Sequence, residues 1–250
     1  MDRRFAVFAL FALLVGVAGP GAGCAKEKDS PRDAQWHYEM AGGYFESQDI
    51  QAAIRELKTA IEMNPKMAKA HFLLAFIYSG RKRYELAIKH YERAIELEPN
   101  YYMAKNNLGS VYLETNQWKE AAKLFRGLLE ESMYATPELA HNNLGWALYN
   151  MGKYSKALHH FKRAVFLKPK MCLAYNNLGL TYEAKGQVRK AMQNYREAIE
   201  RCSKYPEPHY NLGELLYKRR QSGARRHFQK CVELEPDTNL GRRCRQYLRR

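Results

Sequence analysis

The sequence predicts an all-α superhelix of six helix–turn–helix repeats closed by a capping helix. Three observations carry that expectation. "NNLG" stands at residues 106–109, 142–145 and 176–179, and "NLG" follows at 211–213. Small residues recur at two fixed places in a unit of about 34 residues, a period typical of solenoids. Prolines recur near the end of that unit. Such units bury their apolar faces against one another in a continuous stack.

The first 33 residues stand outside the repeats. "MDRR" is basic, residues 5–17 form an apolar run of 13, and small residues then lead to Cys24. As a helix that run rises about 20 Å, short of a hydrocarbon core of about 30 Å. Residues 1–23 therefore read as a secretory signal peptide, with an uncleaved anchor as the alternative. "GAGC" resembles the lipobox of bacterial lipoproteins, in which the cysteine becomes the lipidated N-terminus. Ala22, Gly23 and Cys24 match, whereas Gly21 stands where an aliphatic residue is usual. The resemblance implies lipidation at Cys24, and Ala25 in place of Asp implies the outer membrane, facing the periplasm. Plain secretion with an incidental Cys24 stays open. Residues 24–33, charged and without apolar period, read as a short tether.

The repeats follow over residues 34–236. They start at Ala34, Ala68, Tyr102, Glu138, Cys172 and Pro206, in steps of 34, 34, 36, 34 and 34. Position 8 holds Ala41, Ala75, Gly109, Gly145, Gly179 and Gly213; position 20 holds Ala53, Ala87, Ala121, Ala157, Ala191 and Ala224. Two helices approach closely only where neither carries bulk at the crossing. Leu74, Leu108, Leu144, Leu178 and Leu212 at position 7 flank that contact. So do Tyr91, Phe125, Phe161, Tyr195 and Phe228 at position 24. Pro65, Pro99, Pro169 and Pro236 at position 32 end the second helix, which proline cannot continue. The third repeat carries two extra residues around "ESMYATPE", with Met133 at position 32, and the last lacks one residue in its turn. Residues 237–250 read as a basic capping helix.

These residues resemble the tetratricopeptide repeat (TPR), which implies a right-handed superhelix whose first helices line the concave wall. On a helical wheel, positions 4, 7, 8 and 11 face the second helix, and positions 5, 6, 9 and 12 face away. Asn107, Asn143, Asn177 and Asn211 share position 6; Asn106, Asn142 and Asn176 share position 5. A carboxamide both donates and accepts, matching the backbone of an extended peptide. The resemblance implies a ladder that grips such a peptide, against the alternative that these amides stabilise local packing. Tyr38, Phe72, Phe76, Trp146, Tyr149, Tyr210 and Tyr217 fall on the same face, which marks a binding groove unless a neighbouring repeat or the tether covers them.

Four cysteines remain. Cys172 and Cys202 fall at one end of a helix pair, and Cys231 lies within reach of Cys244, so two disulfides or four free thiols are open readings. No CxxC, Cys/His metal spacing, nucleophile–base pair or phosphate loop is present, so no metal, cofactor, small-molecule substrate or enzymatic activity is expected. His159, His160 and the other histidines read as solvated helix positions. The net charge of +15 admits acidic partners, but no nucleic-acid-reading motif accompanies it, so none is expected. The last 33 residues hold eleven Lys/Arg against three acidic residues, which suits a solvated cap or an anionic partner surface.

Signal peptide, lipobox, tether and repeats together resemble the TPR lipoproteins of type IV pilus biogenesis. The resemblance implies a pilotin, a protein that binds the outer-membrane secretin subunit and promotes its localisation and multimerisation. The alternative is a periplasmic adaptor for cell-wall hydrolases or proteases.

Overall fold

A computed structural model describes residues 31–249, so the signal peptide, Cys24 and most of the tether lie outside the described residues. Among these residues stand thirteen α-helices and no strand. Six antiparallel pairs run in order: α1 (Pro31–Glu46) with α2 (Ile50–Met63), α3 (Ala68–Gly80) with α4 (Tyr84–Leu97), and α5 (Tyr102–Glu114) with α6 (Trp118–Glu130). Then come α7 (Pro137–Asn150) with α8 (Tyr154–Leu167), α9 (Cys172–Ala184) with α10 (Val188–Arg201), and α11 (Pro206–Lys218) with α12 (Ala224–Leu234). Helix α13 (Asn239–Leu248) packs on α12 and α11 as the cap.

One residue makes each turn. Position 15 is left-handed in all six repeats: Gln48, Lys82, Asn116, Gly152, Gly186 and Arg220 have φ between 54° and 72°. In the second to sixth repeats the next N–H reaches back five residues to a helix carbonyl, as in Arg83 to Tyr78 and Gln187 to Tyr182, both at 2.8 Å. That bond satisfies a carbonyl the helix end would leave unpaired. Gly152 and Gly186 adopt this conformation freely, whereas Lys82 and Arg220 hold it against the crowding of a Cβ. The second helices that precede Pro65, Pro99, Pro169 and Pro236 each end two residues before the proline.

Within a pair, the position-8 residue lies under the position-24 ring. A Cβ on Gly109, Gly145, Gly179 or Gly213 would stand 2.6, 2.7, 2.4 or 3.0 Å from the ring of Phe125, Phe161, Tyr195 or Phe228. These rings are almost fully buried, so the edge that meets the glycine has little room to retreat. The first two repeats carry Ala41 and Ala75 at position 8, opposite Leu57 and Tyr91.

Each first helix from α3 to α9 also touches the next first helix, at α3·α5, α5·α7, α7·α9 and α9·α11. No second helix meets the next second helix to the same extent. The stack is therefore tighter along the first helices, which form the inner wall. Its buried residues fall into two large clusters that meet in the third repeat, where Tyr112 packs against both. The two extra residues of that repeat fall between α6 and α7. There Tyr134 donates a hydrogen bond to Asn106 at 3.1 Å, and Glu131 accepts one from Tyr102 at 3.2 Å.

The histidines depart from the expectation of solvated positions. His71 and His209 are buried, and six rings pair across helices at Nδ1: His71 with His90, His141 with His160, and His209 with His227, at 2.9, 3.0 and 3.1 Å. Their position-4 residues lie on the helix flank facing the second helix, which is why solvent does not claim them.

Two outcomes test this account. Gly179→Ala should lose about 1–3 kcal/mol to overpacking, whereas Gly127→Ala, inside α6 with nothing within 4 Å of its Cβ, should gain up to about 1 kcal/mol. Urea midpoints of the two variants check the sign of each. The second concerns pH. Burial is the largest cause lowering all six paired histidines below 6.5, with His90, His160 and His209 lowered to about 4. The folded state then binds fewer protons than the unfolded one, so the histidine contribution is complete above pH 6.5 and is lost progressively as pH falls towards 4. Urea midpoints should drop between pH 7 and pH 5, and less in a chain carrying His90→Gln, His160→Gln and His227→Gln.

Candidate peptide-binding groove

The inner wall carries the asparagines, but they divide into two sets. Position-5 Asn142 and Asn176 are buried, as is position-6 Asn177. Asn177 donates to Asn142 at 3.0 Å, and Asn211 donates to Asn176 at 2.9 Å. Position 6 of one repeat thus bonds position 5 of the repeat before it. Asn142 in turn donates to Asn143 at 3.2 Å. The expectation that all seven amides line an open wall is corrected for these three: buried amides must find protein partners, and here they find one another.

What stays available is smaller. The amide N–H groups of Asn143 and the carbonyl oxygen of Asn211 have no hydrogen bond to another described residue, and both side chains are half-buried. Asn107 reaches toward the buried Tyr91 hydroxyl of the preceding repeat without closing a hydrogen bond. Asn106 is held by Tyr134 from the inserted segment.

The aromatic residues form two open patches and one covered end. Phe72 stacks on Tyr101 with centroids 4.9 Å apart, and Phe76, 44% exposed, meets Phe45 edge-on at 5.9 Å. Tyr38 packs half-buried at the edge of the same cluster. Further along, Trp146 and Tyr149 stack at 5.2 Å with planes 8° apart. Burial pushes the Tyr101 hydroxyl up to about 12, with Tyr38 and Glu98 adding to it, and burial also raises Tyr149. Both hydroxyls are neutral donors at physiological pH.

At the far end the cap changes the picture. Tyr210 is buried rather than groove-lining: Arg243 of α13 lies over its ring at 4.3 Å and hydrogen-bonds its hydroxyl. Tyr217 keeps an exposed edge while meeting Tyr247 of the cap at 5.2 Å. Glu214 accepts hydrogen bonds from Tyr210 at 3.0 Å and Tyr247 at 2.8 Å, and pairs with Lys218 at 3.0 Å. Burial would raise its carboxyl, but the hydrogen bonds from Tyr247, Lys218 and Tyr210 outweigh that and hold it low. Part of the basic tail is thereby committed to holding the cap in place.

Two disulfides brace the same end. Cys172 is bonded to Cys202 and Cys231 to Cys244, with Cα separations of 6.1 and 6.2 Å. The first closes the fifth helix pair, and the second ties α12 to the cap. Each constrains the unfolded chain by about 2–4 kcal/mol. Sequence reasoning did not single out Phe45 and Tyr101. The tyrosine starts the third repeat's first helix at its N-cap, and its signal was only its place one residue before Tyr102.

The division of the asparagines is measurable by stability alone. Asn177→Ala leaves the Asn142 carbonyl oxygen buried without a donor and should cost about 1–3 kcal/mol. Asn107→Ala removes a half-buried amide whose hydrogen bond from Asn106 is long, at 3.5 Å, and should cost well under half of that in the same urea titration.

Comparison with known proteins follows the same geometry. Family models described as the tetratricopeptide repeat match residues 68–101, 106–136 and 139–171, and a TPR-repeat model matches 184–219. No curated protein sequence matches the chain. Among solved structures, PilW, described as a widely conserved type IV pilus biogenesis factor, superposes with a TM-score of 0.73 at 20% identity. That alignment covers 84% of this chain and 97% of PilW. The pilF protein of Pseudomonas aeruginosa gives 0.69 at 18% identity, covering 87% of this chain and 99% of its own. YrrB, described as a TPR protein with an unusual peptide-binding site, gives 0.53 at 25% identity over 76% of this chain and 97% of its own. The family-model matches together span more than half of the sequence, and the chain belongs to the tetratricopeptide-repeat family.

Proposed function

We propose that the chain is a lipid-anchored interaction protein that holds an extended segment of an envelope protein against its inner wall, as the pilotin of a type IV pilus secretin. The observation that carries the binding role is that wall's two aromatic patches, with Phe76 exposed in one and Trp146, Tyr149 and Asn143 half-buried in the other. Accessible aromatic edges with a neighbouring amide supply anchors and backbone hydrogen bonds together. Folds of this family typically serve as non-catalytic scaffolds for protein interaction. The membrane part of the reading rests on the apolar run and "GAGC" ending at Cys24. The secretin rests on resemblance to pilus lipoproteins, and the near full-length likeness to PilW and pilF supports it.

In this mechanism the acyl chains of Cys24 hold the protein at the outer membrane, and one chain alone would anchor only marginally. The aromatic patches seat apolar side chains of the secretin segment while Asn143 bonds its backbone. Binding the subunit at the membrane raises its local concentration where the ring assembles.

Secretin multimers in outer-membrane fractions test the reading. They should be lost without the chain and with Cys24→Ser. Phe76→Ala combined with Trp146→Ala should lower them several-fold at unchanged protein level, since truncating an interface anchor costs about 2 kcal/mol or more. Normal multimers in the absence of the chain would overturn the pilotin role. A mature N-terminus other than acylated Cys24, read by mass spectrometry, would overturn the anchor.

A further inference from the structure

Among the described residues nine large apolar side chains are exposed, and they gather on one side of the stack. Antiparallel pairing puts the start of every first helix and the end of every second helix at one rim of the array. Six of the nine stand at that rim. Trp36, Met103 and Leu173 lie in the first two turns of α1, α5 and α9, Phe166 and Leu167 end α8, and Met133 follows α6. Phe76 and Tyr217 belong to the inner wall, which leaves Leu86, near the start of α4, as the one at the opposite rim. Single exposed apolar residues call for no explanation, whereas a one-sided set marks a contact.

Phe166 shows that packing does not account for the set. It occupies position 29, where the other five repeats carry Glu62, Glu96, Glu130, Glu200 and Glu233. The same place on the same helix is thus filled elsewhere by a charged side chain. Phe166 is 71% exposed, and Met133 in the preceding linker is 77% exposed.

We propose that this rim rests on the surface of a phospholipid bilayer at the fourth repeat, with Phe166 and Leu167 entering the headgroup layer and Met133 and Leu173 meeting it on the neighbouring repeats.

Charge favours lipid as the occupant. Residues 139–182 contain no Asp or Glu. The Arg163 guanidinium lies over the Phe166 ring at 5.3 Å, and Lys162, Lys168 and Lys170 stand exposed around it. Beyond them Lys204 edges a cleft shared with Leu173 and Tyr205. Apolar side chains ringed by Lys and Arg suit the boundary between acyl chains and phosphates. The rings enter, and the long cationic side chains reach back to the headgroups. Anionic lipid strengthens such a contact. Glu130 on one side and Glu200 on the other oppose it, which centres the contact on the fourth repeat.

The path of the chain favours the same occupant. Helix α1 begins at this rim, at Pro31, seven residues after Cys24. Seven extended residues reach at most about 25 Å. Under the anchoring proposed above, on which this step rests, the apolar rim is the one held next to the membrane. Helices of 13 or 14 residues hold the opposite rim about 20 Å farther away. The rim and the inner wall both run along the stacking direction. A partner segment following the wall would therefore lie parallel to the membrane.

The test uses the whole chain as purified from cells, reconstituted with vesicles of phosphatidylethanolamine and phosphatidylglycerol. A phospholipid carrying a photoactivatable diazirine in its acyl chain should label tryptic peptide 164–170, which holds Phe166 and Leu167. It should spare peptide 84–89, which holds the equally apolar and exposed Leu86. Phe166→Glu restores the residue of the other five repeats, and it should lose most of the label on the neighbouring peptide 171–185, which holds Leu173. No label on 164–170, equal label on 84–89, or unchanged label on 171–185 in the variant would each overturn the proposal. A rim shielded from a water-soluble diazirine yet unlabelled by the lipid would be covered by protein instead, which also overturns it. Mass spectrometry of the N-terminus in the same preparation reads the anchor separately. Acylated Cys24 without lipid label on 164–170 overturns the rim contact alone, whereas label there on an unacylated chain overturns the anchor alone.

Discussion

The contact between a residue without a side chain and a buried aromatic ring sets the spacing of the last four helix pairs. At Gly109, Gly145, Gly179 and Gly213 the ring of the returning helix occupies the space a Cβ would need. That fixes how near the two helices of a pair lie. It thereby fixes where position 4 meets position 23 and how closely successive first helices approach. The inter-repeat bonds from Asn177 to Asn142 and from Asn211 to Asn176 are possible only at that spacing.

Much of this could be read from the sequence because it depends on spacing within one repeat. The register, the small residues, the prolines and the inner placement of the asparagine face all follow from local periodicity. The division among the asparagines did not, because positions 5 and 6 differ by only 100° on the helix. Which of them is buried depends on the approach of the neighbouring repeat. The histidine pairs were within reach: separations of 19, 19 and 18 residues recur, the last shortened by the one-residue deletion. Reading each histidine singly hid that recurrence. Tyr210 was misplaced for a different reason, since the cap that covers it is not a repeat and its docking follows no period.

The cap also changes how the basic C-terminus is understood. Arg243 is engaged with Tyr210, Arg225 donates to the Leu248 carbonyl and Arg242 to the Asp237 carbonyl. A row of positive charge that reads as a surface for an anionic partner is in part an internal fastening. Solvent-facing charge and structural guanidinium are indistinguishable in composition and separate only when the ring beneath is known.

Both disulfides lie in the last third of the chain. In an array where each unit contacts only its neighbours, cooperativity travels one interface at a time. The covalent braces make the C-terminal units the hardest to open, so fraying should begin at α1 and advance inward. The third repeat, where the two apolar clusters join through Tyr112, is the natural place for that front to pause. Were the N-terminus tethered as proposed above, any pull would reach the softest unit first, and the braced C-terminal units would keep their shape behind a yielding spring.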